Sequence, residues 1–178
     1  MSNATPGIAE ITRAIRNVPD FPKPDIQFKD ITPVLADAAL FAACIDLLTA
    51  DVKPGSVDAV VGIDARGFIF AAAAAIKLKA GFVPVRKKSK LPYTCYEQSY
   101  DLEYGTNTVA IHIDAVKPGA RVILVDDLLA TGGTAAAAVA LLERIGANVV
   151  EVSFLIELSF LDGRKKLANQ NVRSLVTY

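Results

Sequence analysis

Apolar residues Ile8, Ile11, Ile15 and Val18 recur at helical spacing behind Thr5-Pro6, which predicts a capped first helix with proline in its first turn. The prolines of Phe21-Pro22-Lys23-Pro24-Asp25 forbid regular structure, and Ile26-Gln27-Phe28-Lys29 then alternates as a short strand does. Residues 40–48 return to helical period. A β-branched run over 57–63 predicts a strand that ends at Asp64-Ala65-Arg66-Gly67. Next comes a helix in which Ala71 to Ala75 lie between Phe68, Ile69, Phe70 and Ile76, Leu78, a small-residue face suited to close packing. Residues 82–85 and 108–113 read as further strands, and the unbroken apolar run over 121–125 suits a central parallel strand. A helix over 134–145 and a strand over 149–156 follow.

Strands alternating with helices of about a dozen residues indicate an α/β fold: a doubly wound, mainly parallel sheet flanked by helices. In such sheets ligands bind beyond the carboxyl ends of the strands. The connection over 87–105 stands apart. It is polar, carries Lys87, Lys88, Lys90, Tyr93, Tyr96, Tyr100 and Tyr104, and exceeds the usual αβ loop, the pattern of a mobile lid loop.

With 178 residues and 52% hydrophobic content, the chain is expected to form one domain, 1–178, with its own core. Nineteen basic residues balance nineteen acidic ones, so no global field favours nucleic acid or a membrane surface, and any anion site must be local. Cys44 and Cys95 are far apart and lack metal-ligand spacing, which argues against a disulfide framework or a zinc ribbon and fits a reducing compartment. The first twelve residues carry no secretory pattern, and no apolar run approaches membrane-spanning length, so a soluble, cytoplasmic protein is expected.

The chemistry concentrates in one block, Val122-Ile123-Leu124-Val125-Asp126-Asp127-Leu128-Leu129-Ala130-Thr131-Gly132-Gly133-Thr134. A buried strand runs into an alanine-rich helix through small and hydroxyl residues. Glycines admit a ligand close to the backbone, the first helical N–H groups lack internal partners, and Thr131 and Thr134 add hydroxyl donors, so the turn suits a phosphate. Asp126 and Asp127 precede it by about a sugar's length and can accept hydrogen bonds from ribose hydroxyls or attract Mg²⁺. Neither the Walker nor the dinucleotide glycine pattern occurs. A lone Asp-Asp or Thr-Gly-Gly would read as a helix-capping loop; the combined block favours a ligand.

This block resembles the signature of the type I phosphoribosyltransferases, which bind 5-phosphoribosyl 1-pyrophosphate (PRPP). The likeness runs along nearly the whole chain and leans toward the adenine-using branch. Its pieces are Phe21-Pro22 through Phe28, Asp30, Ile31 and Pro33; Arg66-Gly67-Phe68; Val85-Arg86-Lys87 with Lys90-Leu91-Pro92; Leu102-Glu103-Tyr104-Gly105; and Glu157-Leu158 with Gly163-Arg164, Lys166 and Leu167.

The resemblance implies a type I phosphoribosyltransferase fold with a small N-terminal base-binding hood over 1–35, a flexible lid over 87–105 and a PRPP-binding loop over 122–134. It implies that Ala130, Thr131, Gly132, Gly133 and Thr134 hold the 5′-phosphate, and Asp126 and Asp127 the ribose hydroxyls. Arg66, Arg86 and Lys90 would contact the pyrophosphate, one of the basic residues being open to supply from a second subunit. Phe28 would lie against adenine, the backbone of Gln27 and Lys29 would read its edge, and Leu158 would close the pocket. Glu103, beside Tyr104, would act as general acid or base on the purine ring nitrogen. The implied reaction converts adenine and PRPP to AMP and pyrophosphate in purine salvage, with Mg²⁺ held mainly through PRPP and water, in a homodimer.

Three positions depart from the family pattern: Asp25 replaces a common glycine, Ala65 a serine before the arginine, and Tyr93-Thr94 a glycine after the lid proline. His112 sits on an alternating strand and Cys95 in the lid, and neither belongs to a nucleophile pattern. Two rivals remain open at this level: a related enzyme using hypoxanthine, guanine or xanthine, and a PRPP-sensing regulator that binds nucleic acid, against which the charge balance weighs.

Overall fold

The computed structural model describes residues 5–101 and 105–178. The chain divides into two compact units, Met1–Leu47 and Leu48–Tyr178.

In the first unit, helix α1 spans Ile8–Ala14 and buries Ile11. Its N-cap is Gly7, not Thr5; the Gly7 amide donates to Glu10 Oε2 at 3.0 Å, so the first turn is closed by an acid three residues on. The helical repeat stops before Val18. Ile15 takes extended geometry, and β1 (Arg16–Val18) pairs antiparallel with β2 (Phe28–Asp30), Val18 opposite Phe28. Phe21 meets Phe28 edge to face at 5.1 Å between ring centres, which anchors the proline-rich turn to β2. Helices α2 (Thr32–Ala36), whose N-cap is Ile31, and α3 (Ala38–Leu48), which follows directly on Asp37, come next. Asp30 accepts from the Thr32 amide at 2.9 Å, and Asp37 from the amides of Ala39 and Leu40 at 2.9 and 3.0 Å.

The second unit is built on a mainly parallel sheet. Its strands are β3 (Ala59–Ile63), β4 (Gly81–Lys87), β5 (Cys95–Asp101), β6 (Thr106–His112), β7 (Arg121–Leu129), β8 (Asn148–Glu157) and β9 (Val172–Thr177), in the order β5-β6-β4-β3-β7-β8-β9. The run from β4 through β3, β7 and β8 to β9 is parallel; β5 and β6 are antiparallel to their neighbours. Strand β3 is buried along its whole length because helices cover both faces. Ala59, Val61 and Ile63 join the core under α5 (Gly133–Ile145). On the opposite face lies α4 (Gly67–Leu78), and the alanine run explains its proximity: a Cβ built on Gly62 would stand 2.7 Å from the Cβ of Ala71.

Two elements differ from the sequence pattern. The polar segment expected as a lid loop contains β5, paired with β6 from Cys95 opposite His112 to Asp101 opposite Thr106. Its side chains are mixed or exposed on both faces, so no apolar alternation marks it. Strand β7 continues past Val125 to Leu129, because β8 pairs with it as far as Glu157; Asp126 and Asp127 therefore sit on a strand rather than in the loop after it.

Candidate active site

Strands β3 and β7 are parallel neighbours, Gly62 beside Val125, yet the helices that follow them leave toward opposite faces. This is a topological switch point, and the crevice it opens at the carboxyl ends is where ligands of such sheets bind. Arg66, in the turn after β3, and the two aspartates at the end of β7 meet there. Arg66 Nε lies 2.6 Å from Asp127 Oδ2. Asp127 is buried, and Asp126 Oδ1 accepts the Asp127 amide at 2.9 Å. A Cβ on Gly67 would come within 2.5 Å of that same Oδ1, so the Asp126 carboxylate lies directly over the first residue of α4, the positive end of the helix dipole.

Burial, and next the charge of Asp127, push the Asp126 carboxyl well above the usual aspartate range, against the pull of the Asp127 amide and Arg66. Burial raises Asp127 too, opposed chiefly by the Arg66 guanidinium. The pair is therefore poised: one acid held by a cation, the other short of compensation. Both retain acceptor capacity for hydroxyl donors.

Beyond Leu129 the chain turns through Ala130, Thr131 and Gly132 into α5. Gly132 has φ of 76°, a conformation in which glycine alone is unstrained, and its carbonyl accepts the Ala136 amide at 2.9 Å. Gly132 and Gly133 are buried while the Thr131 side chain faces solvent. Asp126 and residues 128–135 line a cleft of about 80 Å³ at this helix start, where unpaired amides and hydroxyls converge.

Arg86, at the end of β4, reaches back: Nε lies 3.1 Å from Asp64 Oδ2 and Nη1 donates to the Lys90 carbonyl at 3.0 Å. Arg86 thus ties the turn after β3 to the start of the polar segment, and the Asp64–Ala65 peptide within that turn is cis. Asp64 has no marked place in the sequence reading; its signal was only its position at a strand end. Lys90 is exposed, and Lys88 pairs with Glu97 at 2.8 Å. Leu158, just past β8, donates its amide to the Leu129 carbonyl at 2.9 Å.

Gln27, Phe28 and Lys29 belong to the first unit, where Gln27 is exposed and Lys29 Nζ donates to Asn17 Oδ1 at 2.6 Å. Glu103 and Tyr104 lie outside the described residues. His112 meets Tyr93 edge to face at 5.9 Å, and burial and then the Glu97 charge raise the Cys95 thiol, the opposite of what a thiolate nucleophile needs. Among the described residues no group of three or more His, Cys, Asp or Glu is placed to hold a metal ion. Asp126 and Asp127 supply hard oxygen donors, the kind of partial set that suits Mg²⁺ arriving with a polyphosphate and its waters.

Comparison with known proteins accords with this geometry. A family model described as a phosphoribosyl transferase domain matches residues 27–172. The chain is 59% identical over 170 residues to adenine phosphoribosyltransferase of Acidothermus cellulolyticus, covering 95% of this chain and 96% of that protein. It is 54% identical to the enzyme of the same name from Roseiflexus sp., covering 92% and 95%. Among solved structures, adenine phosphoribosyltransferase of Rhodothermus marinus superposes with a TM-score of 0.91 at 51% identity, covering 96% of this chain and 98% of that one. The Saccharomyces cerevisiae enzyme, solved with an imino-altritol bisphosphate and adenine, superposes with a TM-score of 0.90 at 42% identity, covering 94% and 97%.

Proposed function

From the premise that the chain belongs to the adenine phosphoribosyltransferases, we propose how its residues divide the work of converting adenine and PRPP to AMP and pyrophosphate. One observation carries the assignment: an acid pair near the end of β7, with Asp127 bonded to Arg66, precedes a glycine turn at a helix start.

The 5′-phosphate occupies the amide cradle of residues 130–134, and Asp126 and Asp127 accept the ribose hydroxyls. The C1–O bond to pyrophosphate then breaks, leaving an oxocarbenium-like ribosyl centre, and the electron pair departs on the leaving group. Arg66, Arg86 and Lys90 stabilise that growing negative charge. Adenine, assigned to Phe28, the backbone of Gln27 and Lys29, and Leu158, attacks C1 through its ring nitrogen and gives up a proton, which Glu103 is assigned to manage beside Tyr104. Little covalent help is required; fixing the partners and keeping out water supplies most of the acceleration. Mg²⁺ bound to the pyrophosphate would add charge neutralisation next to Asp126 and Asp127.

We assign the enzyme to a homodimer in the cytoplasm. Ile69 and Ile76 on α4, the latter 83% exposed, support self-association, and two free cysteines support a reducing compartment. No described helix is long and apolar enough to cross a membrane.

The decisive experiment is pyrophosphate release from PRPP and Mg²⁺ with adenine, hypoxanthine, guanine and xanthine in turn. Release with adenine alone is expected. PRPP binding without release with any base would move the protein to a sensing role.

A further inference from the structure

The turn that follows β8 touches the phosphate loop from behind. Gly163 is buried, and a Cβ on it would collide with the Ala130 carbonyl and stand 2.9 Å from Leu129 Cδ1. Conversely, a Cβ on Gly132 would collide with the Gly163 carbonyl. The two glycines therefore meet backbone to backbone, and Gly163 forms the floor on which residues 130–132 rest.

What holds that floor is the next residue. Arg164 Nε donates to both carboxylate oxygens of Glu157 at 2.8 and 2.9 Å, Nη1 to the Val172 carbonyl at 2.9 Å and Nη2 to Ser174 Oγ at 3.3 Å. The Glu157 side chain is only 8% exposed, at the last position of β8. A guanidinium spreading its donors over the ends of two strands fixes its own backbone, and hence Gly163, to the rigid edge of the sheet. Leu167, 3% exposed, pins the far end of the same turn into the core.

We propose that Arg164 is a positioning residue for the phosphate loop: gripping Glu157 and Val172, it sets the backbone of Gly163 against Ala130 and Gly132, and so fixes the amides that receive the 5′-phosphate. The proposal rests on the reading of residues 130–134 as the PRPP phosphate site. Arg164 touches no reacting atom in this scheme. Its contribution is the placement of donors whose misalignment weakens one substrate and spares the other.

The test is steady-state kinetics with both substrates varied, alongside melting temperatures, for Arg164→Gln, Arg164→Lys, Glu157→Gln and the Arg164→Gln/Glu157→Gln double variant. Arg164→Gln is expected to raise KM for PRPP on the order of 10- to 10²-fold, with KM for adenine moving by less than about twofold. Arg164→Lys, which keeps a cation opposite Glu157 without the fork, should fall between it and the parent. The double variant should be no worse than the worse single, since both act through one contact. If Arg164→Gln does not fold, Arg164→Lys decides: a PRPP-selective rise supports the proposal. Equal rises for both substrates, or a lowered melting temperature with KM for PRPP unchanged, would overturn it. Thr131→Val, measured in parallel, separates the layers. If it raises KM for PRPP while the Arg164 variants do not, the positioning role alone fails; if it leaves PRPP unaffected, the phosphate-site reading fails first.

Discussion

Arg66 Nε lies 2.6 Å from Asp127 Oδ2, a cation from the turn after β3 bonded to an acid near the end of the adjacent strand β7. Both groups are assigned to PRPP, the arginine to its pyrophosphate and the aspartate to its ribose. The two groups satisfy one another, so the turn after β3 and the end of β7 are tied together by the same groups assigned to the substrate. On that assignment PRPP would exchange contacts rather than create an ordered site from a loose one, which would lower the ordering cost of binding.

Removing the charge of Asp127 should weaken PRPP more than adenine. Asp127→Asn loses an ionic acceptor worth about 1.5–3 kcal/mol, or roughly 10- to 10²-fold in PRPP affinity. Calorimetry with each ligand alone checks this, and an equal loss for both would count against the assignment.

Asp126 should trade stability for binding, with a sign fixed by its raised carboxyl. The folded value lies above the unfolded one, so ionised Asp126 costs stability once pH exceeds the folded value, and the cost disappears below the unfolded value. Asp126→Asn, which imitates the protonated acid, is expected to raise the melting temperature at pH 7 by about 2–4 °C per kcal/mol relieved and to give no gain near pH 3. The same variant should raise KM for PRPP. Melting curves across that pH range provide the check.

Glu103, assigned to proton transfer, should matter for the chemical step alone. Glu103→Gln is expected to slow single-turnover AMP formation on the order of 10²- to 10⁴-fold. An unchanged single-turnover rate would reject the role.

Gly132 combines a positive φ with contact against Gly163. Gly132→Ala should therefore cost about 1–2 kcal/mol in backbone strain and about 1–3 kcal/mol in overpacking. Denaturant unfolding reads the loss, and ribose 5-phosphate binding should fall with it.

An apolar side chain as exposed as Ile76 should report on self-association. Ile76→Glu is expected to shift sedimentation equilibrium toward the monomer, and an unaltered dimer would place the interface elsewhere.

The candidate site was legible in its local geometry, where the residues are close in sequence. Asp126, Asp127 and the glycine turn sit within nine residues of one another, so strand, acids and helix start could be read together. The central strands were legible because burial on both faces leaves unbroken apolar runs, as in β3. Strand β5 was not, since its mixed and exposed faces follow polar composition rather than period. Val18 sits in phase with α1, yet pairing with Phe28 takes it into β1, a tertiary preference that overrides the helical repeat. The Arg86–Asp64 tie and the Gly132–Gly163 contact join residues distant in the chain, and no local pattern announces them.

Gly62 gives α4 its place, because the helix lies as near to β3 as a missing methyl group allows. Arg66 and Gly67 form the leading end of that helix, so the distance between Arg66, assigned to the leaving group, and Asp126 and Asp127, assigned to the sugar, is gauged by an atom that is not there. A single added carbon in the middle of the core would act as a wedge, displacing the arginine without touching it. The geometry of the candidate site is in that sense calibrated from inside the protein, at a residue buried in the core.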